Sequence, residues 1–152
     1  MNIVLLCLGS SSEARTAARM EQLVKKFNEL KKDGNKITFI LTGLPNETQF
    51  MQRYLELAKV EVNVEVVDSK DTYTNLSNTI YFWKYCNIVY FSTGKSHAKR
   101  VQQCVEELSN NVLFKHIPSN EKEVWYEKLA NYLYCFPFGR KVLGWIAAQF
   151  RN

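Results

Sequence analysis

The segment Asn87–Val101, which reads NIVYFSTGKSHAKRV, carries the residue types best suited to chemistry. Its apolar start predicts a short strand, Ser92-Thr93-Gly94 predicts a turn, and the rest predicts a helix ending near Leu108. His97 and Arg100 are three positions apart, so they share one face of that helix near its first turn. The first turn of a helix favours an anion, because it carries unpaired N–H groups and the positive end of the helix dipole. The segment therefore predicts an anion-binding corner.

The two basic residues of this corner each have a functional and a structural interpretation. Because imidazole titrates near neutral pH, His97 can contact phosphate or act as a general acid or base. Arg100 suits bidentate binding of phosphate or carboxylate. The alternatives are that His97 caps its helix or packs, and that Arg100 forms a surface salt bridge. Their position favours function, whereas His116, inside a predicted strand, is expected to be a core or surface residue.

Short strands and helices alternate along the chain around this segment. Strands are predicted at 2–8, 36–41, 62–67, 88–91 and 112–117, and helices at about 13–32, 47–59, 75–85, 95–108, 121–135 and 139–150. Alternation with short joins predicts right-handed crossovers and a mainly parallel sheet that is covered on both sides. We therefore expect an α/β fold, a Rossmann-like three-layer α/β/α sandwich with a five-stranded sheet and a C-terminal helical extension. Residues 1–152 are expected to form a single domain.

Small polar residues follow each of the first four predicted strands. These loops are Gly9-Ser10-Ser11, Thr42-Gly43, Asp68-Ser69 and Ser92-Thr93-Gly94. In open α/β sheets, ligands bind beyond the carboxyl ends of the strands. Four such loops together predict a rim of N–H and hydroxyl donors for an oxyanion or a nucleotide-like ligand. No cofactor can be assigned, because neither a dinucleotide fingerprint nor a P-loop is present.

Composition bounds the classes of function. The chain has 152 residues, of which 46% are hydrophobic, and no run reaches the roughly 18 apolar residues of a membrane span. The apolar start at residues 3–8 is shorter than a signal peptide requires. Four well-separated cysteines predict free thiols of a reducing compartment, so we expect a cytoplasmic protein without a structural metal.

The net charge of +5 includes lysines clustered at positions 25, 26, 31, 32 and 36. No aromatic residues are interleaved with them as a nucleic-acid stripe requires, so we interpret them as a solvated helix face and expect no nucleic-acid partner. The aromatic residues after position 124 are expected mostly to cover the sheet, although a membrane or partner contact stays open for them.

Two motifs together carry a resemblance to a known family. The segment Ser69–Asn75, reading SKDTYTN, is followed by Thr93–Arg100, which ends in H-x-x-R. This order resembles the SanA/YdcF/ElyC-like family, a bacterial-type domain of unknown function. The counterparts over about residues 1–108 are Gly9, Arg19 or Arg15, Thr42, Gly43, Ser69, Thr72, Asn75, Thr93, His97 and Arg100. The resemblance implies a Rossmann-like fold and a small-molecule site, and some relatives are linked to cell-envelope metabolism, without a settled reaction.

The chain departs from the family pattern at several positions. Thr74 stands where the family carries an acid, and Gly94 and Val101 replace a serine and an alanine. The glycine that follows the counterpart of Gly9 in the family is missing. If the family's acid transfers a proton, this chain has lost that group unless Asp68 or Asp71 replaces it.

The remaining candidates have open alternatives. Asp68 can act as a base, bind a ribose hydroxyl or serve only as a turn residue. Arg15 lies nearer the mouth of the predicted crevice than Arg19, which can point away. Asn75 can hold a loop or contact a ligand, and Ser69 and Thr72 are more typical of turn and cap positions.

Three functions are compatible with the sequence. The first is a small-molecule-binding protein, expected to be an enzyme, that acts on a phosphate-bearing or nucleotide-like ligand, with adenosyl compounds among the candidates. The second is a catalytically inactive relative that serves as a binding or interaction module. The third, and the least favoured, is a nucleic-acid binder that uses the lysine-rich first helix.

Overall fold

A computed structural model describes residues 1–109, 111–122, 141 and 145. Five strands, β1 (Asn2–Leu8), β2 (Lys36–Gly43), β3 (Asn63–Asp68), β4 (Ile88–Thr93) and β5 (Leu113–Pro118), form one sheet. The helices are α1 (Glu13–Leu30), α2 (Pro45–Leu57), α3 (Thr72–Ser77), α4 (Ile80–Trp83) and α5 (Lys95–Leu108). All neighbouring strands are parallel, in the order β3-β2-β1-β4-β5. The predicted α/β class with a parallel five-stranded sheet is confirmed.

The predicted C-terminal helical extension lies almost entirely outside the described residues. Glu121, Lys122, Lys141 and Trp145 are its described positions, and Trp145 is 67% exposed. The exposed indole differs from the expectation that the aromatic residues of this region cover the sheet. The other aromatic residues of the extension fall outside the described part of the chain.

The central strand β1 explains the three layers. Leu6 packs with Trp83 and Phe91 on the face covered by α3, α4 and α5, whereas Leu5 packs with Met20 on the face covered by α1 and α2. Because both faces are buried, the strand has an unbroken apolar sequence rather than an alternating one. The uncovered ends of the sheet are therefore the places where polar groups can gather.

Helix α1 begins after a serine cap, and a glycine turn follows its end. The Ser12 hydroxyl caps its start by accepting the Arg15 N–H at 3.3 Å. A short 3₁₀ turn, Lys31–Asp33, follows the helix, and Gly34 then adopts a left-handed backbone with φ of 70°. On the inward side of the helix, Arg19 and Leu23 are buried, while Ala17 is only half-buried.

The helix predicted at 75–85 is two short helices, α3 and α4, and the single-helix prediction is wrong. Helix α3 starts earlier because Asp71 caps it: its carboxylate accepts the Thr74 N–H at 2.8 Å. The chain breaks between the helices at Asn78 and Thr79, where the Thr79 hydroxyl donates to the Asn75 carbonyl at 2.6 Å. Apolar spacing alone cannot distinguish one helix from two that share a face.

The strand order places a topological switch between β1 and β4. From β1 the chain proceeds outward through β2 and β3, and it then returns to the other side of β1 at β4. The crevice outside the carboxyl ends of these two strands is the usual ligand position in open α/β sheets. Gly9 follows β1, and Gly94 follows β4, so these two residues border the switch point.

Candidate functional site

Two polar clusters lie at the carboxyl edge of the sheet. The first, which we call the hydroxyl–histidine cluster, consists of Thr42, Ser69, Thr72, Asn75, Thr93 and His97, all of them buried. The second, the arginine–glutamate pair, consists of Arg19 and Glu121. Burying this many polar groups is unfavourable unless each finds hydrogen-bond partners, so their contacts define the site.

His97 is held between two threonine hydroxyls. Its Nδ1 lies 2.7 Å from the Thr93 Oγ1, and its Nε2 lies 2.9 Å from the Thr72 Oγ1. Thr93 ends β4, His97 lies in the first turn of α5, and Thr72 begins α3. The imidazole therefore links three elements, and its orientation is fixed from both sides. The Thr72 hydroxyl lies in the first turn of α3 and is hydrogen-bonded to the ring.

Asn75 ties together the ends of β2 and β3. Its Oδ1 accepts a hydrogen bond from the Ser69 hydroxyl, and it lies 3.4 Å from the Thr42 Oγ1. The Thr42 and Ser69 hydroxyls are 2.8 Å apart. Of the two roles expected for Asn75, the holding of a loop is the one for which the structure shows contacts.

The arginine–glutamate pair crosses the switch point. Arg19 Nε and Nη2 donate to the two carboxylate oxygens of Glu121 at 2.8 and 2.9 Å, and the two side chains are only 5% and 4% exposed. Arg19 Nη1 also donates to the carbonyl of Leu8, the last residue of β1, at 2.7 Å. Glu121 accepts further hydrogen bonds from the Ser119 hydroxyl at 2.6 Å and from the Gly94 N–H. Arg19 therefore points toward the crevice.

The charges of this pair set the protonation of their surroundings. Burial raises the pKa of Glu121, but the hydrogen bonds and charge of Arg19, with smaller effects of Ser119 and Gly94, lower it by more. The net pKa is therefore below the ordinary value of 4.5. Burial also raises the pKa of the Cys7 thiol to about 12, opposed by the charge of Arg19 and aided by that of Glu121. At neutral pH the carboxyl group is therefore ionised, and the thiol is neutral and unsuited to act as a nucleophile.

The Glu47 side chain explains why two of the candidate site positions, Gly9 and Gly43, are glycines. A Cβ atom on Gly9 would lie 2.8 Å from the Glu47 Cβ, and one on Gly43 would lie 2.6 Å from the Glu47 Oε1. That oxygen accepts the Leu44 N–H at 3.0 Å in the first turn of α2. The Gly9 N–H donates to the Thr42 carbonyl at 2.7 Å, so this donor extends the sheet rather than facing a ligand.

The other predicted residues have varied surroundings. Arg100 is buried on α5, and Arg15 is half-buried. Ser10 is half-buried, and its N–H donates to the Thr16 Oγ1 at 3.1 Å. Asp68 is exposed at the end of the edge strand β3. Within the described part of the chain, no side-chain hydrogen bond joins the Asp68 carboxylate to either polar cluster, and its proposed catalytic role stays a prediction.

The sequence interpretation missed Glu47 and Glu121. Glu47 carried a signal. It lies three residues after Leu44, which precedes Pro45, and a glutamate at that spacing is typical of a capped helix start. Glu121 carried none, since it is 102 residues away from Arg19 in the chain. Among the described residues, no group of three or more His, Cys, Asp or Glu side chains is placed to hold a metal ion.

Comparisons of the chain with protein-family models, with curated proteins and with solved structures each give no match. The resemblance to the SanA/YdcF/ElyC-like family therefore stays a prediction that rests on the motifs themselves. Of the helices in the described residues, none combines the length and the apolar character needed to cross a membrane.

Proposed function

We propose that this protein binds a small anionic molecule, phosphate-bearing or nucleotide-like, in the crevice at the carboxyl ends of its strands, and that it transforms this ligand. The observation that carries the proposal is the position of His97, buried between the Thr72 and Thr93 hydroxyls beside the switch point. Because its Nε2 is hydrogen-bonded to the Thr72 Oγ1, the imidazole can exchange a proton with a ligand through that hydroxyl.

Each candidate side chain has a role in this proposal. Arg100, one helical turn from His97, binds the anionic group of the ligand, since a guanidinium matches phosphate oxygens bidentately. His97 acts through the Thr72 hydroxyl, to which its Nε2 is hydrogen-bonded at 2.9 Å. Asp68, exposed at the end of β3, is placed for a ribose hydroxyl.

The family resemblance supports the same assignment. Its counterpart residues are spread over five loops and helices in sequence, yet Thr72, Thr93 and His97 are in direct contact, as are Thr42, Ser69 and Asn75. The fold class brings these residues to one edge of the sheet, and the hydrogen bonds among them are the contacts that a shared site requires. An adenosyl compound is one of the nucleotide-like ligands to be included in a screen.

A second candidate is a binding module without catalysis, and the contacts of Thr74 favour it. The Thr74 hydroxyl accepts the N–H groups of Lys70 and Asp71 at 3.0 Å each, and the Asp71 carboxylate caps α3 in return. Both groups are therefore engaged in capping, and neither supplies the acid that the family carries at position 74. Turnover of any bound ligand would reject this second candidate.

A thermal-shift screen of nucleotides, adenosyl cofactors and sugar phosphates tests the proposal. Ligands that raise the melting temperature of the wild type are retested on His97→Ala and Arg100→Ala. Lys99→Ala is the matched control, because Lys99 lies on the same turn of α5 but is exposed. We expect the ligand-induced shift to disappear in the two site variants and to persist in the control. If both site variants are folded by circular dichroism and retain every ligand-induced shift, the proposed site is wrong.

A further inference from the structure

The Glu121 carboxylate is bound in the way that an oxyanion ligand is bound. It receives two parallel hydrogen bonds from the guanidinium of Arg19, one from the Ser119 hydroxyl and one from the Gly94 N–H. A guanidinium fork combined with a hydroxyl and a backbone N–H is a common receptor for phosphate and carboxylate groups. The receptor is closely fitted, since a Cβ atom on Gly94 would lie 3.1 Å from the Glu121 Oε1.

The receptor lies where the fold would place a ligand. Arg19 is anchored to the carbonyl of Leu8 at the end of β1, and Gly94 directly follows β4. These are the two strands that flank the switch in strand order. A side chain of the protein thus occupies the position at which open α/β sheets bind their ligands.

We propose that the Glu121 carboxylate closes an oxyanion subsite formed by Arg19, Gly94 and Ser119, and that a phosphate or carboxylate group of the ligand takes its place. This inference deepens the proposed function and rests on it. Both kinds of group offer Arg19 two oxygens in one plane, so the guanidinium remains paired when Glu121 leaves.

Glu121 lies beyond the last strand of the sheet. Strand β5 ends at Pro118, and the neighbours Asn120 and Lys122 are exposed while the Glu121 side chain reaches inward. The carboxylate can therefore turn out to solvent without breaking a pair of strands. The ligand then binds in competition with Glu121. The apparent affinity of the ligand equals its intrinsic affinity multiplied by the fraction of molecules in which the subsite is open.

Titration with inorganic phosphate and with acetate, followed by nitrogen-15 NMR at constant ionic strength, tests the subsite. The Gly94 amide and the Arg19 Nε–H are the reporters, and wild type is compared with Glu121→Gln. We expect phosphate to shift both signals in the variant at a concentration at least about tenfold lower than in wild type, since a subsite closed nine times in ten loses tenfold in affinity. Glu106→Gln, an exposed position on α5, is the matched charge control and should titrate like wild type.

Four further results decide the inference. Arg19→Gln/Glu121→Gln keeps only the Gly94 amide as a reporter, and its phosphate-induced shift must disappear; if that shift persists, Arg19 does not hold the anion and the proposal fails. Equal midpoints in wild type and Glu121→Gln would also overturn it. If Glu121→Gln does not fold, Glu121→Asp replaces it, because the shorter side chain keeps the charge but reaches Arg19 less well, which should lower the midpoint several-fold without removing a donor of the subsite. Shifts with acetate but not phosphate would support the subsite and restrict its ligands to carboxylates.

The outcome is separable from that of the proposed function. Nucleotide shifts that depend on His97 and Arg100, together with unaltered phosphate midpoints in Glu121→Gln, would reject the oxyanion subsite alone. Tighter phosphate binding in Glu121→Gln, with no ligand that depends on His97, would retain the subsite and reject the catalytic crevice.

Discussion

Replacing Arg19 with methionine should destabilise the protein by about 2–4 kcal/mol, because the Glu121 carboxylate is then either buried without its partner or exposed to solvent with the loss of its hydrogen bonds. The wild-type pair has two hydrogen bonds of 2.8 and 2.9 Å, and its side chains are 5% and 4% exposed. The Leu8 carbonyl loses a donor at the same time. Against a total stability of about 5–15 kcal/mol for a domain, this loss is large.

The double variant Arg19→Met/Glu121→Met separates the unpaired charge from the loss of contacts. With both charges replaced by apolar side chains, the desolvation penalty disappears, and pairs treated in this way are often neutral or more stable. We expect the double variant to lose about 1–2 kcal/mol, chiefly from the unpaired Leu8 carbonyl, which is less than Arg19→Met alone. Urea unfolding followed by circular dichroism gives the free energies of all three proteins.

The dependence on pH provides a second measure of the pair. Because the pKa of Glu121 is lowered in the folded protein, its stabilising effect is complete above 4.5, the ordinary value, and is lost as the pH falls through the lower folded value. In Arg19→Met, burial acts without the guanidinium and raises the pKa of Glu121, so protonation on acidification relieves the penalty. The free-energy difference between wild type and variant should therefore shrink between pH 7 and pH 3.5. A difference below about 1 kcal/mol at pH 7, the size typical of a surface ion pair, would refute the reasoning, as would a difference that does not change with pH.

Three other predictions concern a buried hydrogen bond, a left-handed backbone position and the reactivity of two thiols. Thr79→Val should lower the free energy of unfolding by about 1–3 kcal/mol, because the Trp83 indole N–H, which donates to the Thr79 Oγ1 at 3.0 Å, is left buried without an acceptor; Thr79→Ser is the control, and an equal loss in both would contradict the role of the hydroxyl. Lys59 has a left-handed backbone with φ of 54°, so Lys59→Gly should raise the stability by about 1 kcal/mol in urea unfolding, and a loss would show that the lysine side chain matters more than the backbone. Cys7, fully buried with a pKa raised to about 12, should resist iodoacetamide in the folded protein while Cys86, half-buried, reacts first; peptide mass spectrometry that finds both labelled at one rate would contradict this order.

The sequence predicted the sheet well because burial on both faces leaves a clear signature. The run Asn2–Leu8 has the bounds of β1, and the edge position predicted for the third strand agrees with its partial exposure. Strand β2 extends two residues beyond the predicted end, to Gly43. Thr42 and Gly43 read as turn residues, but both pair with β3, and Thr42 pairs with β1 as well, so they are part of the strand.

The candidate site was predictable as a place but not as a set of contacts. Parallel strands bring their carboxyl ends to one edge, so the meeting of Thr42, Ser69 and Thr93 at that edge follows from fold class. The sequence could not decide whether Arg19 points toward the carboxyl edge of the sheet. Successive helix residues are rotated by about 100°, so the direction of one side chain depends on which face of the helix packs against the sheet. The Arg19–Glu121 contact joins residues 102 positions apart, so only the folded structure reveals it.

The hydroxyls on either side of His97 have a consequence for the crevice edge, because a hydroxyl both donates and accepts. When Thr93 donates to Nδ1, the Nε2–H bonds to the oxygen of Thr72, whose own hydrogen is then directed outward; in the other tautomer, Thr72 donates to Nε2 and presents its lone pairs outward. The two tautomers differ only in the positions of hydrogen atoms. One threonine can thus meet an oxyanion as a donor and a hydroxyl as an acceptor, without rearrangement of the surrounding packing.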